Sequence, residues 1–365
     1  MDLKFFQNLP AESLSFIENL KLDKFNFVPV TEGCTRIGSK INMGYICYAV
    51  KIYKMTNQWE SFSDETKKGW INKLNSYQIK NRTYENYFID PEIFKYFNNP
   101  LSKFNIRNYL KSSANLLLNK NYENRDKFIF KTINADNKQT ISTLGEVGSK
   151  IKITPSISFN NHKNIESYLD SYDWSKPWDA GAQFSSLALY NNLFKLQIDR
   201  DLEIYIEKKI NNETGSYFSQ KPNHDRQIIN GAMKVITGLD WLNIPIHLPE
   251  KLIDFCINNK PQFEGCDLVD YVYVLYRCSL QTNHRKEEVK ELFIEISEYL
   301  KLLYHPDQKG FSYFIQKSQT HYYGLQITKG VYTPDIHGTI LSIWAIVMIL
   351  ESLQENIYNY KLIKP

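Results

Sequence analysis

Apolar positions along this chain recur at helical spacing, in runs of two alternating kinds. Residues 36–55, 136–147, 179–196, 224–242, 265–280 and 335–353 are rich in apolar residues, and each carries Gly, Ala, Ser or Cys near its start. The runs at 63–79, 101–119, 199–210, 249–258 and 286–303 interleave charged and apolar residues, as solvent-facing amphipathic helices do. The clearest is the last, where Val289, Leu292, Phe293, Ile296, Leu300 and Leu303 mark one face and Lys and Glu fill the rest. Helix-start signals agree with these runs: Ser63 and Asp64 precede one, Pro249 and Glu250 open another, and Asp335 precedes the most apolar of all. The pattern predicts roughly a dozen helices in one all-α domain spanning 1–365. Strand patterns are confined to 127–132, 150–153 and the pair 310–316 with 321–326, which alternation predicts to form a hairpin. The least regular stretch is 120–158.

Small side chains at the starts of six apolar helices let backbones approach closely around a common axis, with the amphipathic helices outside them. That alternation, with Gly-Ser-Tyr-Phe at 215–218 and Gly-Phe-Ser-Tyr-Phe at 310–314 ahead of apolar helices, resembles the six-hairpin α/α-toroid superfamily. The resemblance implies an inner and an outer ring of helices, short β-hairpin excursions, and a funnel at the inner-helix ends. The superfamily includes glycan hydrolases, lyases and epimerases, and also terpenoid cyclases and protein prenyltransferase β-subunits, so shape does not select a reaction.

Composition narrows the setting. Forty-four Lys+Arg against 40 Asp+Glu give +4, too mild over 365 residues to predict a nucleic-acid partner. The first sixteen residues lack an apolar stretch of signal-peptide length, and no window approaches the ~18 apolar residues of a membrane span. Five cysteines at scattered spacings, with no Cys-x-x-Cys, argue against a disulfide framework. A cytoplasmic protein is expected. Twenty-five Tyr, 21 Phe and 6 Trp are enough to wall a large core or a ligand cavity.

Four clusters carry candidate chemistry. In the first, 172–183, Trp174 and Trp178 suit stacking on a sugar ring, while Asp179 and Gln183 lie one helical turn apart. Asp179 is also in position to be a plain helix cap. In the second, Asp267 and Asp270 share one face of a helix start, followed by Tyr273; paired carboxylates can split their pKa values into an acid and a base, or ligate a cation. In the third, Asp335 precedes His337, a candidate acid or base, with Tyr323 on the expected hairpin nearby. In the fourth, His224 and Arg226 crowd a helix start, where Arg226 can clamp a carboxylate or phosphate or pair with an acidic neighbour.

Prenyltransferase β-subunits hold zinc through a Val-Asp-x-Cys-Tyr segment and a later Asp-x-x-His-Thr segment. Here Asp270 and His337 are similar in place, but Val272 stands where the cysteine belongs, and only Cys266, a turn earlier, could substitute. Zinc is therefore a minor alternative, as is Mg²⁺ at the half-match Asp267-Leu-Val-Asp270 to a terpenoid-cyclase motif; the main expectation is no cofactor. No Gly-x-Gly-x-x-Gly, Walker loop, Gly-x-Ser-x-Gly or His-Glu-x-x-His occurs. The leading expectation is an enzyme acting on a saccharide or glycan precursor. Asp267 or Asp270 is the base or nucleophile, His337 the acid, Trp174 and Trp178 the stacking platforms and Arg226 the anion clamp. An isoprenoid cyclase or prenyl-transferring toroid, and a non-catalytic scaffold, are the alternatives, with oligomeric state left open.

Overall fold

The computed structural model describes residues 3–120, 122–155 and 163–365. Position 121 and residues 156–158 of the irregular 120–158 stretch lie outside the described residues. In chain order the helices are α1 Leu3–Asn19, α2 Met43–Met55, α3 Gln58–Ser61, α4 Asp64–Asn75, α5 Pro91–Asn98, α6 Lys103–Leu118, α7 Arg125–Glu146, α8 Ile165–Asp170, α9 Pro177–Phe194, α10 Asp199–Glu207, α11 Asp225–Leu242, α12 Pro249–Asn258, α13 Gly265–Ser279, α14 Lys286–Leu303 and α15 Ile336–Ser352. Between α14 and α15 lie β1 Tyr304–His305, β2 Gly310–Phe311, β3 His321–Tyr322 and β4 Leu325–Gln326, paired as two antiparallel hairpins. Among the described residues the protein is thus predominantly helical.

The helices buried on nearly every side are α2, α7, α9, α11, α13 and α15, and they are neighbours in a sequence that returns to its start: α2 packs on α7, α7 on α9, α9 on α11, α11 on α13, α13 on α15, and α15 on α2. Cross-helix bonds give their direction. Gln139 donates to the Gly44 carbonyl and, further along both helices, Lys51 donates to Ser142. Asn134 donates to Gln183 and, a turn on, Asn137 donates to Tyr190; likewise Asn230 donates to Asp267 and Arg277 to Asp240. In each pair residue numbers rise together, so these neighbours run parallel. The closest approach is α9 against α11. A Cβ at Gly231 would stand 2.5 Å from Pro177 Cβ, and one at Gly238 2.6 Å from the Phe184 ring, so only glycine permits it. The amphipathic helices cover this assembly from outside, α1 and α14 on α15, α12 on α13, α8 and α10 on α9, α4 on α2. Each buries one stripe, as α14 does with Val289, Leu292, Phe293, Ile296, Leu300 and Leu303.

Two expected strands and one expected strand pairing are absent. Residues 127–132 form the first turns of α7, because Asn124 accepts the Asp126 and Lys127 N–H groups as a cap and Ile129, Phe130, Ile133, Asn134 and Asn137 bury at helical, not alternating, spacing. Residues 150–153 are tied to the end of α4 by side chains, with Asn75 accepting the Lys152 N–H and Gln78 donating to the Ile153 carbonyl. Nor does 310–316 pair with 321–326: β1 pairs with β2 and β3 with β4, each across its own short turn. The Tyr313 and Gln319 N–H groups that a longer hairpin could use are taken by Asp335. The other start signals hold: Ser63 caps α4, Pro249 opens α12, and Asp335 caps α15.

Candidate functional site

The six mutually packed helices enclose a cavity of about 580 Å³ to which all of them contribute. From α13 and α15 come Asp270, Cys266 and His337, from α9 Trp178, Asp179 and Gln183, from α2 Tyr48 and Lys51, from α7 Lys131 and Lys138, and from α11 Lys234; Tyr323 enters from the β3–β4 turn. The hairpin brings Tyr323 there through a left-handed backbone (φ 47°), and Tyr322 beside it donates to Asp136 at 3.0 Å. Burial, then the charge of Asp90, push the Asp136 carboxyl up to about 8. It is a protonated acid near neutrality, held behind the cavity wall.

His337 sits in the first turn of α15, its ring stacked on Tyr48 (4.8 Å, 6°) and tilted against Tyr313 (5.2 Å). Its Nδ1 hydrogen-bonds to Gln319 Oε1 at 3.0 Å, which fixes Nδ1–H as the donor and leaves Nε2 as the acceptor. Burial and then the positive charge of Lys234 push its pKa down to about 3, so the imidazole is neutral at physiological pH. Asp270 is 1% exposed, and its Oδ2 has no hydrogen-bond partner among the described residues. Burial raises its carboxyl to about 6, against the pull of Lys234. A neutral imidazole and a carboxyl titrating close to neutrality therefore share one cavity, a combination suited to proton transfer.

Several candidates lie elsewhere or do other work. Asp267 accepts from Asn230 at 2.7 Å and pairs with Arg226 at 3.2 Å, outside the cavity wall. Arg226 lies over the Trp178 ring, 5.7 Å from its centroid, so its charge is used at the rim. Asp179 is at the cavity edge but is ion-paired to Lys131 at 2.6 Å, and it is not the helix cap, since α9 begins at Pro177. Gln183 lines the wall with its carbonyl oxygen already accepting from Asn134 and Tyr168. Trp174 is no stacking platform: it is buried against Tyr205, and its indole N–H donates to the Leu169 carbonyl. Tyr273 does not line the cavity but is buried behind its wall against Trp344, and His224 is exposed at the start of α11. Asp335 is structural. It accepts the backbone N–H groups of Gly338, Tyr313 and Gln319 at 2.8 to 3.0 Å, tying the loop to the start of α15.

Asp270, Cys266 and His337 line the same cavity, yet no group of three His, Cys, Asp or Glu side chains among the described residues is arranged to hold a metal ion. Burial and the neighbouring Asp270 push the Cys266 thiol up to about 11, so in the metal-free protein it is a protonated thiol.

The lysines of the wall escaped the sequence reading. Lys51, Lys138 and Lys234 each stand inside a helix otherwise buried on most sides, and a lysine in the middle of such a run is the signal that could have found them. No helix among the described residues is long and apolar enough to cross a membrane. Compared with protein-family models, with curated proteins and with solved structures, the chain matches none.

Proposed function

We propose that the chain is an α/α toroid whose axial cavity acts on a saccharide or glycan precursor, with His337 and Asp270 as the proton-transfer pair. The closed succession of parallel helix neighbours supports the toroid. The observation that carries the function is the cavity lining. Lys, Asp, His, Gln, Tyr and Ser side chains stand among Trp178, Trp344 and Phe128 and a larger apolar surface from Met55, Met233, Val269, Ile340, Leu341 and Ile363, which suits a ligand that combines hydroxyls with apolar ring faces. In this reading His337 Nε2, its ring held by Gln319 and Tyr48, accepts a proton from the ligand instead of giving one, because burial keeps the imidazole neutral and closes the acid role expected from the sequence, and Asp270 supplies or receives the second proton. Trp178 provides the stacking face. Five free cysteines go with a reducing compartment such as the cytoplasm. An isoprenoid ligand, the second reading, is favoured by the apolar and aromatic side chains that make up most of the wall.

The test is turnover of an oligosaccharide panel followed by mass spectrometry, with His337→Gln and Asp270→Asn beside the wild type. Turnover by the wild type, and its loss in both variants with thermal melting intact, is the expected result. Wild-type rates in either variant would remove that residue from the mechanism, and conversion of geranyl diphosphate but of no saccharide would overturn the reading.

A further inference from the structure

We infer that Lys51, Lys138 and Lys234 form a cationic subsite in the cavity that takes the carboxylate or phosphate group of an anionic sugar. The sugar part rests on the reading above, and the anion part on the lysines alone. They reach the cavity from three helices, α2, α7 and α11. A fourth lysine in the same wall shows what neutralisation looks like: Lys131 is paired with Glu123 at 2.8 Å and Asp179 at 2.6 Å. By contrast, Lys138 and Lys234 make neither a hydrogen bond nor an ion pair among the described residues, and Lys51 only donates to Ser142 Oγ at 2.9 Å.

Few acidic groups stand near them: the Asp270 carboxyl, raised by burial to about 6, faces Lys234 across the wall without a hydrogen bond to it, and Glu146 accepts the Lys364 backbone N–H outside the cavity wall. Burial, followed by the repulsion of Lys234 and Lys51, drives the Lys138 ammonium well below its ordinary range, and burial lowers Lys51 as well. Ammonium groups without a counter-ion in a cavity wall are costly, so Lys51 and Lys138 are held toward their neutral amines while the cavity is empty, and a methionine of similar length would fill the same space without that cost. An anion bridging them supplies charge-assisted hydrogen bonds and removes the mutual repulsion, so what destabilises the empty cavity becomes affinity for the right ligand. Lys234 also acts electrostatically on Asp270, His337 and Cys266, which puts the anion next to the proton-transfer pair.

The experiment is calorimetric titration of the full chain with glucose, glucuronate, glucose 6-phosphate, inorganic phosphate and geranyl diphosphate, repeated with Lys138→Met, Lys234→Met and Lys138→Arg. At least one anionic sugar is expected to bind about tenfold or more tightly than glucose, to lose about tenfold in each Met variant and to keep its affinity in Lys138→Arg. Glucuronate and glucose 6-phosphate separate a carboxylate from a phosphate source. The apo Met variants should melt at or above the wild-type temperature, which distinguishes lost binding from lost folding. Glucose binding equal to that of both anionic sugars, unchanged affinity in the Met variants, or no binding by any of the anions overturns the subsite. Inorganic phosphate or geranyl diphosphate binding that depends on the lysines, with sugars adding nothing, leaves the subsite standing and overturns the saccharide reading instead.

Discussion

Replacing Asp270 by Asn tests the electrostatics of the cavity without changing its shape. Asparagine mimics the protonated acid, so the substitution should stabilise the fold wherever the wild-type carboxyl is forced to ionise. Burial raises the folded-state value from 3.8 to about 6, a difference that corresponds to about 3 kcal/mol. The direction is the reverse of the usual aspartate. Below about pH 4 the group is protonated in folded and unfolded chains alike, and the variant gains nothing from charge. Between about pH 4 and 6 the unfolded chain ionises first, so wild-type stability falls with rising pH; above about pH 6 the penalty is complete. Urea denaturation of both proteins at a series of pH values from about 4 to 8 should show Asp270→Asn gaining up to about 3 kcal/mol across that window, reaching a plateau above pH 6. A difference independent of pH would refute the reasoning, because Asp270 would then be solvated or fully compensated by Lys234.

Substituting Gly231 by Val should separate α9 from α11, where a Cβ already falls 2.5 Å from Pro177; overpacking of about 1–3 kcal/mol is expected as a lowered midpoint in denaturant, and an unchanged midpoint would contradict the close approach. Asp335→Ala removes the acceptor of three backbone N–H groups at the start of α15, and a loss of about 3 kcal/mol should appear in the same assay. Because His337 is pushed down to about 3 and Asp270 up to about 6, any turnover that needs ionised Asp270 should rise through about pH 6, with no further change from the histidine between pH 5 and 8; a pH–rate profile lacking an inflection near 6 would exclude Asp270 as the base. Loosening the ring by Gln319→Ala should alter that profile or kcat more than KM, since Gln319 only orients Nδ1.

Periodicity was enough to find most of the long helices, though not α1 or the first half of α7, and to sort them into buried and surface-facing sets, because a helix enclosed on every side must be apolar all round while one at the surface needs a single stripe. It also marked the caps Ser63 and Asp335, whose oxygens act within their own first turn. It failed at 127–132, where alternating Phe128, Phe130 and Thr132 look like a strand but α7 has its cap three residues upstream at Asn124. It failed equally for the hairpin, since the contest for the Tyr313 and Gln319 N–H groups was decided by a carboxylate far along the chain. The same limit governs the site. Sequence spacing set Asp270 and His337 near helix starts, but Asp267, one turn before Asp270, turned to Arg226 and Asn230 instead. Which of two carboxylates on one helix faces a shared cavity depends on the rotation of that helix against its neighbours. Which lysines stay unpaired depends on what the opposite wall supplies. Both are properties of packing between segments distant in sequence, and only the assembled helices determine them.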